Sequence, residues 1–196
     1  ADWFRSSGLK LDERGYVTVD GYGRTNLDGV WALGDITPGH ALAHRAFEQG
    51  ITIAEKIAGA DPKPVLDDTV PQVVFSFPEA ASVGLTLDQA KAREDVVEPK
   101  ETAYPMLSNA RMLMSGEGGS MTVVSGAFAN NPDMQVVLGV HIVSPIASDL
   151  IAEAEQLVGN RVPLADAARL IHPHPTFSET LGEALLKADG RPLHTR

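Results

Sequence analysis

Two long β-type runs in the second half of the chain place the strongest constraint on its fold. Residues 121–128 and 135–143 are rich in Val and other apolar side chains, and the residue types of Asn130-Asn-Pro-Asp133 between them favour a tight turn. We therefore predict an antiparallel pair of strands. The order of patterns from residue 70 onwards predicts β-α-β-β-β followed by helices, an α+β fold with helices on an antiparallel sheet. The other predicted elements are strands at 70–77 and 98–104, and helices at 86–93, 148–158, 164–170 and between Glu179 and Gly190.

Composition and charge exclude several classes of protein. The chain of 196 residues has a formal net charge of −10, which argues against a general nucleic-acid binder because phosphate contacts need basic patches. It contains no cysteine, so neither a disulfide nor a zinc–thiolate site can form within it. No apolar run reaches the roughly 18 residues of a membrane-spanning helix, and the first residues lack the pattern of a signal peptide. We therefore predict a cytoplasmic protein that contacts neither nucleic acid nor membrane.

The first 69 residues carry the pattern of a strand followed by a turn and a helix. Residues 1–24 predict a short helix and a strand pair, residues 30–33 a short buried strand ended by Gly34-Asp35, and the pattern after His44 a helix that ends before Gly59. A strand, a glycine and a helix N-terminus in close succession form a crevice that tolerates an anion. A plain βα unit without a ligand remains the alternative. The segment 59–69 is polar and contains proline, which predicts a linker and a domain boundary.

The segment Ile171-His-Pro-His-Pro-Thr-Phe-Ser-Glu179 places two histidines and a carboxylate immediately before a helical run. The proline after His174 restricts this histidine to extended backbone geometry. Thr176 and Glu179 form the T-x-x-E pattern of a capping box, which predicts Thr176 as the N-cap. His174 then lies just outside a helix with a carboxylate one turn away, which suits an oriented general base. The residues alone leave two alternatives open: a metal site that includes His172, and a helix start in which Glu179 is only a cap.

Five motifs along the chain resemble those of one protein family. They are T-x-x-x-G-h-h-h-h-G-D at residues 25–35, L-A-H at 42–44, V-P-x-V-h-F-S-x-P-E at 70–79, L-G-x-H-I-h-S-P at 138–145 and H-x-H-P-T-x-S-E at 172–179. On these motifs the sequence resembles the pyridine nucleotide-disulfide oxidoreductases, with Ser144 in place of the family's usual glycine. The resemblance implies that residues 1–69 are an incomplete remnant of an α/β FAD-binding domain. It also implies that residues 70–196 form the dimerisation domain of such a flavoprotein.

The resemblance also implies roles for particular residues. Asp35 corresponds to the residue that binds the ribityl chain of FAD, and the backbone amides of Ala41, Leu42, Ala43 and His44 correspond to those that approach the flavin N1/O2 edge. A helix N-terminus there stabilises the negative charge of the reduced flavin. His174 corresponds to the catalytic base and Glu179 to the carboxylate that orients it. In the family this base acts on the flavin and redox disulfide of the partner subunit, which implies a homodimer through residues 70–196.

The activity implied by the motifs is oxidation of dihydrolipoamide to lipoamide, with FAD and then NAD⁺ accepting the electrons. The implied partners are the lipoyl domains of 2-oxoacid dehydrogenase complexes. Two alternatives remain: a glutathione- or mycothione-type disulfide reductase that uses NADPH, and a dimerisation module without catalysis. The family's G-x-G-x-x-G, its C-x-x-x-x-C redox pair and its NAD domain have no match here. We therefore expect a C-terminal fragment that is inactive by itself and binds neither FAD nor NAD tightly.

Overall fold

The computed structural model of the chain describes Phe4 and residues 6–195. The chain divides into two compact units, Ala1–Val70 and Pro71–Arg196. Much of the short helix predicted at the very start lies outside the described residues. None of the helices in the described ranges combines the length and the apolar character needed to cross a membrane.

The first unit contains one long helix, α1 (Ala43–Ile57), and 3₁₀ turns at Gly34–Ile36 and Asp67–Thr69. The prediction that α1 ends before Gly59 is confirmed, and Gly59 has a φ of +86°, which a glycine adopts without strain. A small apolar core gathers Phe4, Val17 and Ala32.

The strands predicted in the first unit are wrong. Within the described residues, segment 1–24 has one isolated bridge, Leu11 to Val17, instead of a strand pair; in segment 30–33 only Trp31 forms a bridge, to Arg24. Val30 and Leu33 are 39% and 36% exposed rather than buried. A buried strand of this kind needs hydrogen-bonded neighbours and covered faces, and the described part of this unit has no strand beside it.

The second unit is built on a five-stranded antiparallel sheet with the spatial order β1-β2-β5-β4-β3. This confirms the predicted α+β class. The strands are β1 (Gln72–Val74), β2 (Glu79–Gly84), β3 (Val96–Pro105), β4 (Ser120–Phe128) and β5 (Asn131–Ser144). The helices are α2 (Leu87–Ala92), α3 (Ala110–Ser115), α4 (Ala147–Gly159), α5 (Leu164–Ala167) and α6 (Glu179–Ala188).

The predicted hairpin forms, but its turn is shorter than expected. Phe128 pairs with Asn131, so only Ala129 and Asn130 connect β4 to β5, and the segment 131–133 belongs to β5. The strand predicted at 70–77 is shorter in the structure, where only Gln72–Val74 is a strand. The chain turns around Pro78 and continues as β2, which pairs antiparallel with β1 and was not predicted. Proline cannot donate a ladder hydrogen bond, which accounts for the break.

The core of the second unit positions α6 against the sheet. Leu181 and Leu185 of α6 are 1% and 0% exposed and belong to one apolar cluster with Tyr104, Met121 and residues of α4. Burial of each such side chain contributes about 1.5–3 kcal/mol. Because Glu179 is the first residue of α6, this packing also fixes the position of its carboxylate.

Candidate active site

His174 and Glu179 are hydrogen-bonded to each other. The distance from His174 Nδ1 to Glu179 Oε1 is 2.9 Å, and the Thr176 backbone N–H donates to Glu179 Oε2 at 2.8 Å. One carboxylate oxygen therefore orients the imidazole while the other holds the backbone before α6, so the two roles do not compete. If Nδ1 carries the proton that it shares with Glu179, Nε2 remains free to accept a proton.

The electrostatic surroundings keep Glu179 ionised. Burial raises the pKa of this carboxyl, but the hydrogen bonds from the Thr176 amide and from the His174 ring, with the charge on the nearby imidazoles, leave its pKa below the ordinary value. The His174 side chain is 69% exposed and that of Glu179 only 19%. An ionised, shielded carboxylate therefore supports an imidazole that reaches solvent, which is the arrangement a general base requires.

The prediction of Thr176 as the N-cap of α6 is wrong. The helix begins at Glu179 with Ser178 as the N-cap, and Ser178 makes no side-chain capping bond. The Thr176 hydroxyl donates instead to the Pro173 carbonyl at 2.6 Å and contacts the Ser178 hydroxyl at 2.9 Å. Only the carboxylate half of the expected capping box forms, through the bond from the Thr176 amide to Glu179.

Asn109 connects α3 to the backbone of the histidine segment. Its Nδ2 donates to the Thr176 carbonyl at 3.0 Å, and its Oδ1 accepts the Met112 backbone N–H at 3.0 Å as the N-cap of α3. The Arg111 guanidinium lies 5.3 Å from the centroid of the Phe177 ring. The sequence analysis does not predict α3, because six residues are too few for a helical period to show. The one sequence feature that indicates this helix is Asn109, because asparagine is a favoured N-cap residue.

Two further imidazole–carboxylate pairs were not predicted. His172 Nε2 lies 2.8 Å from Glu153 Oε1, and His194 Nδ1 lies 2.7 Å from Glu183 Oε1. Their partners are 19 and 11 positions apart in sequence, so no local motif could have indicated them. Within the described ranges, no group of three or more His, Cys, Asp or Glu side chains is placed to hold a metal ion. His172 instead pairs with α4.

The His172–Glu153 pair makes a pH-dependent contribution to stability. The hydrogen bond to Glu153 raises the pKa of His172, against an opposing effect of burial. Because the folded state then favours the protonated ring, the contribution is complete below about pH 6.5, the pKa of an unperturbed histidine, and is lost as the pH rises through the folded-state pKa. We expect the free energy of unfolding of the wild type to exceed that of Glu153→Gln by more at acidic than at alkaline pH.

Urea denaturation at about pH 5.5 and about pH 8.5 measures this difference. The matched control is Glu155→Gln, which removes the same charge from a half-buried position on the same helix and is expected to show no such trend. A difference between wild type and Glu153→Gln that is equal at both pH values would contradict the expectation.

The residues assigned to flavin binding lie at the start of α1. Asp35 is exposed in the 3₁₀ turn, and Leu42 is the N-cap of α1 with no side-chain capping bond. Ala41, Ala43 and His44 are exposed around it. A helix N-terminus whose N-cap side chain provides no acceptor presents amide donors to an anionic or polar ligand. The exposed Asp35 and the amide donors at this helix N-terminus are compatible with the FAD contacts that the resemblance implies.

Arg45 holds the loop that precedes this helix. The guanidinium is 6% exposed; Nε donates to Asp67 Oδ1 at 2.7 Å, Nη2 to the Pro38 carbonyl at 2.7 Å and Nη1 to the His40 carbonyl at 3.4 Å. A side chain at Gly39, whose φ is +119°, would overlap both Arg45 and Asp67. The loop thus wraps around a buried cation, and sequence reasoning did not detect it.

Replacing Asp67 by Asn is expected to destabilise the first unit. The substitution leaves the buried guanidinium without its charged partner, at a cost of about 2 kcal/mol. Hydrogen exchange of the amides of α1 measures the loss. Asp28→Asn, the same change at an exposed position of this unit, is expected to have a smaller effect. Equal protection of the α1 amides in wild type and Asp67→Asn would show that the ion pair does not hold the loop.

Comparison with known proteins identifies the class. The family model for "Pyridine nucleotide-disulphide oxidoreductase, dimerisation domain" matches residues 70–185, and that for "Pyridine nucleotide-disulphide oxidoreductase" matches residues 1–50. The chain belongs to the pyridine nucleotide-disulphide oxidoreductase family, as its motifs predicted.

Individual relatives are similar to this chain over almost its whole length. The chain is 41% identical over 189 residues to a dihydrolipoyl dehydrogenase of Cupriavidus necator and 38% identical over 185 residues to one of Bacillus subtilis, covering 95% and 94% of this chain. It spans 38% of the length of each of these relatives. The crystal structure of LpdA from Mycobacterium tuberculosis matches with a TM-score of 0.82 and 31% identity, over 92% of this chain and 38% of that one.

Proposed function

We propose that this chain supplies the catalytic base and the dimer interface of a flavoprotein that oxidises dihydrolipoamide to lipoamide with NAD⁺. The observation that carries the proposal is the 2.9 Å bond between His174 Nδ1 and Glu179 Oε1, which leaves Nε2 of an exposed imidazole free. The dihydrolipoyl dehydrogenases among its relatives favour this substrate. Residues 1–69 act as part of the FAD-binding domain and residues 70–196 as the dimerisation domain.

The chemistry assigned to His174 is removal of a thiol proton. A thiol with a pKa of about 8.5 is mostly protonated at neutral pH, and an imidazole with a pKa of about 6.5 is suited to accepting its proton. The S–H bond breaks, the proton moves to Nε2, and the sulfur keeps the electron pair with which it attacks the redox disulfide. Glu179 fixes the tautomer and stabilises the imidazolium that forms. Bound FAD, held by Asp35 and the amides of Ala41 to His44, would supply the acceptor for the electron pair.

The redox disulfide must lie outside this chain, since the chain contains no cysteine. We therefore expect these residues alone not to turn over substrate and to bind neither FAD nor NAD tightly. In the complete enzyme, Asp35 binds the ribityl chain, and the amides of Ala41 to His44 bind the flavin edge. The buried Arg45 supports this assignment because it fixes the loop that leads to those amides.

The proposed homodimer forms through residues 70–196. Several large apolar side chains near the dyad are exposed, and Ile171, three residues before His174, is 97% exposed. The others are Leu107 (56%), Leu113 (63%) and Met114 (67%). Exposed apolar side chains of this size favour a protein partner, and a second copy would bring each dyad to the other subunit's flavin and disulfide. Lipoyl domains of 2-oxoacid dehydrogenase complexes are the proposed substrate carriers, in the cytoplasm.

A hybrid enzyme tests the proposal. This chain replaces the matching segment of the Cupriavidus necator dihydrolipoyl dehydrogenase, and FAD content and NAD⁺-dependent oxidation of dihydrolipoamide are measured. We expect a flavin-loaded, active dimer. Activity with NADPH and oxidised glutathione instead would favour the disulfide reductase alternative. A flavin-loaded dimer that is inert with both substrates would favour a dimerisation module without catalysis.

A further inference from the structure

The Glu183–His194 pair repeats the geometry of the His174–Glu179 pair. In each, one carboxylate oxygen lies within hydrogen-bond distance of an imidazole Nδ1, at 2.7 Å for His194 and 2.9 Å for His174. In each, the other oxygen accepts a backbone N–H, from His194 itself at 3.2 Å and from Thr176 at 2.8 Å. In both pairs Nδ1 is the ring nitrogen that faces the carboxylate, which leaves Nε2 as the nitrogen for proton exchange.

Both pairs line one cavity of about 130 Å³. The remaining wall is formed by β3 and the segment that follows it: Tyr104, Ser108, Asn109 and Ala110. Glu179 and Glu183 are four positions apart on α6 and so share one face of the helix. Because a water molecule occupies about 30 Å³ in the liquid, the cavity has room for several water molecules. Hydrogen-bonded water can therefore bridge the two imidazoles.

The carboxylates are shielded and the imidazoles face solvent. The side chains of Glu179 and Glu183 are 19% and 11% exposed, whereas those of His174 and His194 are 69% and 64% exposed. Two carboxylates four positions apart on a helix repel each other, and each of these two is paired with one of the imidazoles. The nearby charged groups are engaged elsewhere, Arg111 over Phe177 and His172 with Glu153.

Tyr104 gives the cavity a hydroxyl that keeps its proton. The residue is 0% exposed, and no hydrogen-bond partner for its hydroxyl lies within the described part of the chain. Burial and the carboxylates of Glu183 and Glu179 raise the pKa of Tyr104 to about 12. The phenol is therefore neutral at neutral pH, and the protons that exchange in this cavity are those of the two imidazoles.

We propose that the Glu183–His194 pair takes over the proton that His174 removes from a thiol and releases it to solvent. The inference rests on the proposed function, which supplies the thiol and the redox disulfide. After the S–H bond breaks, the sulfur keeps the electron pair and the proton is on His174 Nε2. It then passes through cavity water to His194 Nε2 and on to bulk water, which leaves His174 neutral for the second thiol of the dithiol. Glu183 is a positioning residue for His194.

The coupling between the pairs is tested by NMR titration of the imidazole resonances of this chain, which needs no flavin. Glu183→Gln removes a negative charge and is expected to lower the titration midpoint of His174. His194→Gln leaves the charge of Glu183 uncompensated and is expected to raise it. We expect shifts of about 0.3 pH unit, as for weakly coupled exposed charges. Because His194 is exposed, its replacement leaves the core intact if Glu183→Gln does not fold.

The matched control is Glu94→Gln, which removes the same charge from an exposed position beyond the far end of β3. The ten residues of β3 span roughly 30 Å, so the His174 midpoint is expected not to move in this variant. A His174 midpoint that is unchanged in both Glu183→Gln and His194→Gln would overturn the proposal, whatever the hybrid enzyme does.

Turnover of the hybrid enzyme tests the proton path itself. We expect His194→Gln to lower kcat about tenfold, less than the 10²–10⁴-fold typical of a base that contacts substrate, and added imidazole buffer to restore it. Loss of a merely structural contact would not respond to buffer. An unchanged kcat in His194→Gln would overturn the proposal while leaving the proposed function intact. An inactive but flavin-loaded unsubstituted hybrid would overturn the proposed function, and the thiol step with it.

Discussion

Replacing His174 by Gln in the hybrid enzyme is expected to lower dihydrolipoamide oxidation by 10²–10⁴-fold, the contribution typical of a positioned general base. Glutamine is similar in size but cannot accept a proton at neutral pH. Glu179→Gln is expected to cost less, because the imidazole would remain but lose the charge that orients it and stabilises its protonated form. Steady-state kinetics at saturating NAD⁺ measures both losses per mole of bound FAD.

The control for this prediction comes from the same segment. His172→Gln removes the neighbouring histidine, which pairs with Glu153 of α4 rather than lining the cavity. We expect it to change stability and to leave the turnover of the folded, FAD-loaded enzyme at the wild-type value. If His172→Gln were as inactive as His174→Gln, the assignment of the base to a single histidine would be wrong.

Replacing Leu185 by Ala is expected to lower the free energy of unfolding of the second unit by about 2–5 kcal/mol. The side chain is 0% exposed in the cluster that joins α6 to the sheet, so its truncation removes buried apolar surface and leaves a cavity. The same change should weaken the site indirectly, because α6 carries both Glu179 and Glu183. Urea unfolding, followed by far-ultraviolet circular dichroism, measures the loss of stability.

Leu170→Ala is the matched control for the core substitution. Leu170 is 47% exposed, and a surface substitution of this kind usually changes stability by less than about 0.5 kcal/mol. Equal losses in Leu185→Ala and Leu170→Ala would show that α6 does not depend on this buried contact.

Local sequence patterns were sufficient for the parts of the fold and site that depend on neighbouring residues. The hairpin of β4 and β5 follows from two apolar runs and turn residues, and the His174–Glu179 pair follows from a spacing of five residues. Even here the boundaries differed: Asn131 begins β5 instead of belonging to the turn, and Thr176 uses its hydroxyl on the Pro173 carbonyl instead of capping α6.

Long-range contacts account for what the sequence could not predict. Arg45 and Asp67 are 22 positions apart, and His172 and Glu153 are 19 apart; only the fold brings each pair together. The apolar run at 30–33 reads as a buried strand, but a strand also needs neighbours, and the described residues of the first unit provide none. Periodicity also fails for α3, because six residues give less than two helical turns.

The most direct test of the central claim separates the two half-reactions of the hybrid enzyme by anaerobic stopped-flow. Reduction of the flavin by dihydrolipoamide requires a base to deprotonate the thiol, whereas reduction by NADH does not. We expect His174→Gln to slow flavin reduction by dihydrolipoamide by at least about 100-fold. The rate of flavin reduction by NADH is expected to stay unchanged. Equal rates of reduction by dihydrolipoamide in the unsubstituted hybrid and in His174→Gln would contradict the assignment of His174 as the base.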